Sequence, residues 1–207
     1  MPAPELRLLA LGDSYTVGEG LPPAQAWPAQ LAAALQAERG APVHVQVLAR
    51  TGWSAAELCA ALDAGAWSPP YDLVTLQIGV NDQYRGHTLA QYEAALDGLL
   101  TRAIALAGDR AARVLALSIP DWGVTPFAEQ DARTPAVIAA AVDACNQRLH
   151  QRAQRLRVAL CDVTAISRRA GCAPTMLVAD GLHPSAAQYA RWLEAILPAA
   201  RALLRGA

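Results

Sequence analysis

Five short apolar runs, each followed by a stretch of mixed or helical spacing, limit what this chain can fold into. They cover residues 6–11, 43–49, 73–78, 114–119 and 158–161 and are rich in Val, Leu and Ile. Nearly continuous apolar runs of this length fit strands covered on both faces. Between them, Trp27, Leu31 and Leu35 recur every fourth residue, and Pro28 suits a first helical position. Ser54 with Glu57 three residues on is a capping-box pattern. Residues 89–107, 135–156 and 185–204 also show helical spacing, and Pro198 marks where the last is expected to kink or divide. Strand–helix alternation of this kind predicts an α/β fold, a parallel sheet with helices on both faces. No repeat or low-complexity linker interrupts residues 1–207, so a single domain is expected.

Composition excludes some partners. The formal net charge is −1 and there is no long charge run, so nothing favours nucleic acid or a membrane surface. No apolar stretch approaches transmembrane length, and stable membrane insertion is not expected. The N-terminal MPAPELRLLALGDS lacks a basic start, a long apolar stretch and a cleavage-like site, which reads as cytoplasmic. The four cysteines form no C-x-x-C and none has zinc-like spacing with a histidine. A disulfide-free chain is expected, with Cys161 and Cys172 the pair to check.

In parallel α/β folds ligands bind beyond the carboxyl ends of the strands. The first run ends there in Gly12-Asp13-Ser14. A serine hydroxyl is a poor nucleophile without a base to take its proton. Of the four histidines, His44 reads as a core residue of the second strand, His150 as a solvated helix residue and His87 as a loop residue. His183 differs, because it lies in Asp180-Gly181-Leu182-His183-Pro184-Ser185, with Pro184 expected to open a helix. A carboxylate three residues earlier can hold one ring nitrogen and leave the other free to face a serine. Asp13, adjacent to Ser14, is badly placed for that task and reads as a tie on the serine loop, as Asp82 does for its own.

Ester cleavage also needs donors aimed at the developing oxyanion. The Ser14 N–H is one candidate. The Gly52 N–H and the Asn81 side-chain amide, both placed after strands, are two more. GDSYT is not G-x-S-x-G, which argues against an α/β-hydrolase nucleophile elbow.

Taken in order, GDSY, Gly52, the G-x-N-D of Gly79-Val80-Asn81-Asp82 and DGLHP resemble the sequence blocks of the SGNH hydrolases, or GDSL esterase/lipase family. Ala26-Trp27-Pro28-Ala29 is similar to the bacterial thioesterase/lysophospholipase/arylesterase branch. Tyr15 departs from the leucine usual after GDS and adds a ring beside the serine. The resemblance implies a three-layer α/β/α flavodoxin-like sandwich with a five-stranded parallel sheet. It implies Ser14 as nucleophile, His183 as base and then acid, Asp180 as the residue that orients it, and an oxyanion hole of Ser14, Gly52 and Asn81. The implied reaction is hydrolysis of a small-molecule ester or thioester through an acyl-enzyme, with no metal or organic cofactor. Short to medium acyl chains are expected, with Trp53, Tyr84, Trp122 and Phe127 as candidate pocket residues. The competing reading is a non-enzymatic flavodoxin-like module whose GDSYTVGEG loop holds a phosphate or flavin.

Overall fold

The computed structural model describes residues 4–205; residues 1–3 and 206–207, the ends of the expected single domain, lie outside the described residues. Five strands form one parallel sheet: β1 (Leu6–Gly12), β2 (Val43–Ala49), β3 (Leu73–Gln77), β4 (Val114–Leu117) and β5 (Ala159–Cys161). Their order is β2-β1-β3-β4-β5, the flavodoxin-like arrangement. β1 pairs Leu6 with Val43 on one side and Leu8 with Leu73 on the other. The strand order reverses between β1 and β3, so a crevice opens beyond their carboxyl ends.

Eight α-helices follow in chain order among the described residues: α1 (Ser14–Val17), α2 (Trp27–Arg39), α3 (Ala55–Ala64), α4 (Val80–Tyr84), α5 (Leu89–Leu106), α6 (Pro135–Leu156), α7 (Thr164–Ala170) and α8 (Ala186–Arg205). α2 and α7 pack on α8, while α3, α5 and α6 pack in series. The middle of the sheet is the core. Leu9, Leu11, Leu73 and Leu76 are buried, each contributing roughly 1.5–3 kcal/mol of transfer energy. Trp27 and Trp192 are fully buried, and the Trp27 indole N–H donates to Gln77 Oε1 at 3.1 Å.

Three sequence expectations need correction. β2 is an edge strand, bonded only to β1, and its residues alternate between half-buried and exposed over most of its length. His44 therefore points to solvent, 3.5 Å from Glu5, and is not a core residue. Pro198 lies inside α8 without dividing it. It and Glu194, whose carbonyl lacks the proline N–H, are both exposed, so water can satisfy that carbonyl. α8 begins at Ala186, and Pro184 forms a bridge with Leu177 where a helix start was expected.

The Ser54–Glu57 capping box forms as read, with Glu57 Oε2 accepting from the Ser54 N–H at 2.7 Å. Such a cap is worth about 1 kcal/mol. All four cysteines are free thiols. Among the described residues no helix is long and apolar enough to cross a membrane.

Candidate active site

β1 delivers Ser14 to the crevice through a single tight turn. A Cβ on Gly12 would lie 2.6 Å from the Gln77 carbonyl oxygen and closer still to Thr16 Oγ1, so only glycine fits where the chain leaves the sheet. Asp13 then caps α1, its carboxylate accepting from the Tyr15 N–H at 3.0 Å. Burial pushes the Asp13 carboxyl up to about 7; the Tyr15 N–H opposes this and the Asp82 carboxylate adds to it. The N–H groups of Thr16 and Val17 bond the Asp13 carbonyl, and those of Gly18 and Glu19 bond the Ser14 carbonyl. The N–H groups of residues 15–19 are thus engaged within the loop and are not turned outward as those of a phosphate-holding loop would be.

His183 sits on a small hairpin. The Val178 N–H bonds the His183 carbonyl at 2.9 Å, the Ser185 N–H bonds the Met176 carbonyl at 2.8 Å, and Gly181 turns the chain at φ +67°. Asp180 Oδ1 accepts from the N–H groups of Leu182 (2.8 Å) and His183 (3.0 Å). Its Oδ2 lies 2.6 Å from His183 Nδ1, and His183 Nε2 lies 2.9 Å from Ser14 Oγ. A carboxylate at Nδ1 assigns the proton to that nitrogen and leaves the Nε2 lone pair toward the hydroxyl. Burial pushes the Asp180 carboxyl up, but its bonds from the His183 ring and the two N–H groups prevail and hold it below the usual value. The Tyr15 ring, buried, lies against the imidazole with centroids 5.3 Å apart.

A pocket of about 190 Å³ opens at Ser14 and His183. Gly52 and Asn81 border it as well. Among the described residues the Ser14 and Gly52 N–H groups donate to no protein acceptor. Asn81 Nδ2 gives one hydrogen to the Trp53 carbonyl at 2.9 Å, leaving the second. The arrangement can therefore take a proton from a serine and present three donors to a negative oxygen.

Tyr84, Trp122 and Phe127 line the same pocket. The Tyr84 and Trp122 rings meet edge-on at 5.4 Å, and Trp122 and Phe127 at 6.1 Å. Trp122 is fixed by its indole N–H, which donates to Gln83 Oε1 at 2.7 Å. Trp53 is not among the lining side chains. Its carbonyl is turned to Asn81, and its half-buried ring packs against the core. Val80 and Leu182 line the pocket and were not singled out from sequence, although each lies next to a motif residue. His87 pairs with buried Asp82 at 3.1 Å, and Asp82 also accepts from the Ala55 N–H at 2.8 Å.

The family model of the GDSL-like lipase/acylhydrolases matches residues 10–191. Esterase TesA of Pseudomonas aeruginosa is 30% identical over 200 residues, covering 95% of this chain and 89% of that protein. A crystal structure of TesA superposes with a TM-score of 0.74 at 27% identity, over 95% of this chain and 99% of that one. An acetyl xylan esterase variant from Geobacillus stearothermophilus shares the fold, with a TM-score of 0.72 at 22% identity over 94% of both chains.

Proposed function

The chain belongs to the GDSL-like lipase/acylhydrolase family and is a carboxylic ester hydrolase, and from that premise we propose that it works through a Ser14–His183–Asp180 triad on esters or thioesters of short to medium acyl chain. The observation that carries this reading is the 2.9 Å approach of His183 Nε2 to Ser14 Oγ, with Asp180 held at the other ring nitrogen. Ser14 Oγ attacks the substrate carbonyl carbon as its proton passes to His183 Nε2. The carbonyl oxygen becomes an oxyanion facing the Ser14 and Gly52 N–H groups and the free Asn81 hydrogen. Collapse of the tetrahedral intermediate breaks the bond to the leaving group, which takes the proton from His183. Water, deprotonated by the same nitrogen, then attacks the acyl-serine, and Ser14 recovers its proton when the acid leaves. Asp180 stays ionised throughout and stabilises the imidazolium. Tyr84, Trp122 and Phe127 supply an apolar surface for the acyl chain. The described residues 4–205 form one domain, a reading that the continuous core across the sheet supports.

The test is hydrolysis of p-nitrophenyl acetate, butyrate and octanoate by wild type and Ser14→Ala in parallel. The reading requires activity on at least one ester that vanishes with Ser14. Equal activity in both proteins refutes it.

A further inference from the structure

The aromatic wall of the pocket has one fixed member and one free one. Trp122 is 2% exposed and hydrogen-bonded, whereas Tyr84 is 46% exposed, with solvent on its outer side. Behind both stands Arg133. Its guanidinium carbon lies 5.7 Å from the Tyr84 ring centre and 5.2 Å from that of Trp122. A planar cation over two ring faces attracts both. The cation is itself held in place. Nε and Nη2 donate to Asp131 Oδ1 and Oδ2 at 2.8 and 2.9 Å, a bidentate pair. Nη1 and Nη2 reach the Gln83 and Tyr84 carbonyls of α4 at 3.5 Å.

Arg133 also borders a second groove. This one is about 670 Å³, more than three times the acyl pocket, and is lined by Val124, Pro126, Ala132 and Pro135 among others. Arg133 touches the wall on one side and this groove on the other.

We propose that Arg133 is a specificity-determining residue: by bracing Tyr84 against Trp122 it closes the acyl pocket off from the neighbouring groove and so limits the acyl chain the enzyme accepts. This rests on the reading of the aromatic wall as the acyl surface. Once the cation is lost, Tyr84 can swing toward solvent and an apolar chain can run on into the groove.

The experiment compares kcat/KM for p-nitrophenyl acetate, butyrate and octanoate in wild type, Arg133→Met and Arg133→Lys, with Ser14→Ala beside them. The leaving group is constant, so the ratios report the acyl side alone. Arg133→Met raises the octanoate-to-acetate ratio about tenfold, chiefly through a lower KM for octanoate, since apolar contacts of this size discriminate at about that level. Arg133→Lys gives a smaller rise, keeping the charge without the planar fork. A purely structural role lowers all three esters in proportion, and an unchanged ratio overturns the proposal. If Arg133→Met does not fold, Asp131→Asn loosens the same guanidinium and must move the ratio the same way. If wild type shows no Ser14-dependent hydrolysis of any ester, the triad reading falls and this inference falls with it. If hydrolysis is Ser14-dependent and the ratio is fixed, only this inference falls.

Discussion

The Arg85 guanidinium donates to the Gly52 carbonyl at 2.5 Å, and Asn81, one helical turn earlier on α4, donates to the next carbonyl, that of Trp53, at 2.9 Å. Two side chains at i and i+4 thus grip consecutive peptide units of the loop that presents the Gly52 N–H. Arg85 also pairs with Glu57 at 2.9 Å, which ties the clamp to the capping box of α3.

Arg85→Met is expected to lower kcat about tenfold with little change in KM, because a loosened donor is felt mainly in the transition state. Steady-state kinetics on p-nitrophenyl butyrate check this. Arg85→Lys should recover part of the loss, and a change confined to KM would show that the clamp does not act through the oxyanion donor.

Ser14→Ala and His183→Ala are each expected to cost on the order of 10⁵–10⁶ in kcat, as in other serine triads. On the proposed triad the double variant should be no worse than either single one, since a nucleophile and its base act as a unit. Stopped kinetics at high enzyme concentration measure the residual rate, and additive losses would separate their roles.

Asn81→Ala should cost roughly 10²–10³ in kcat with a modest change in KM. Full kcat in this variant would remove the Asn81 amide from the oxyanion hole. Asn81 also braces Trp53, so a thermal melt of the variant belongs with the kinetics.

Asp13 gives a stability prediction. Burial raises its carboxyl to about 7, so between its ordinary value near 4 and pH 7 the folded chain holds a proton that the unfolded chain has lost. Stability from this group is fully present at low pH and declines as pH rises through that window. Asp13→Asn keeps an oxygen for the Tyr15 N–H and removes the titration. Melting curves from pH 5 to 8 should therefore show the variant gaining on wild type as pH rises, by on the order of a few kcal/mol. A constant difference across that range would count against a buried, proton-holding Asp13.

The sheet could be read in advance because β3 and β4 are buried along their whole length and β1 everywhere but Arg7, so all three are dominated by apolar residues. β2 misled in part, since Val43, Val45 and Val47 alternate with polar residues that face water at the sheet edge. Gly12-Asp13-Ser14 and Asp180-x-x-His183 were legible because each is a local motif whose internal hydrogen bonds are short in sequence. Pro184 pointed to a helix start, but the bridge to Leu177 depends on a partner seven residues away and overrode the local preference. Trp53 lay in the right loop, yet the loop's φ of +85° at Gly52 and the Asn81 bond set its direction, and neither is visible in residue type. Arg85 and Arg133 carried no signal at all, because each acts only through carbonyls and rings brought to it by folding.

Ser14 opens the turn that follows the first strand, and His183 stands 169 residues later, just ahead of α8. The Tyr189 hydroxyl of α8 bonds the Tyr15 carbonyl at 2.9 Å, so the last helix seals the turn formed by the first. Contacts of such separation are slow to form, because the intervening loop must close before they reward it. A growing chain on the ribosome therefore carries its serine from the outset without a base beside it. On the proposed triad, the return of hydrolysis during refolding is a clock for the docking of α8 and the hairpin before it onto the first turn.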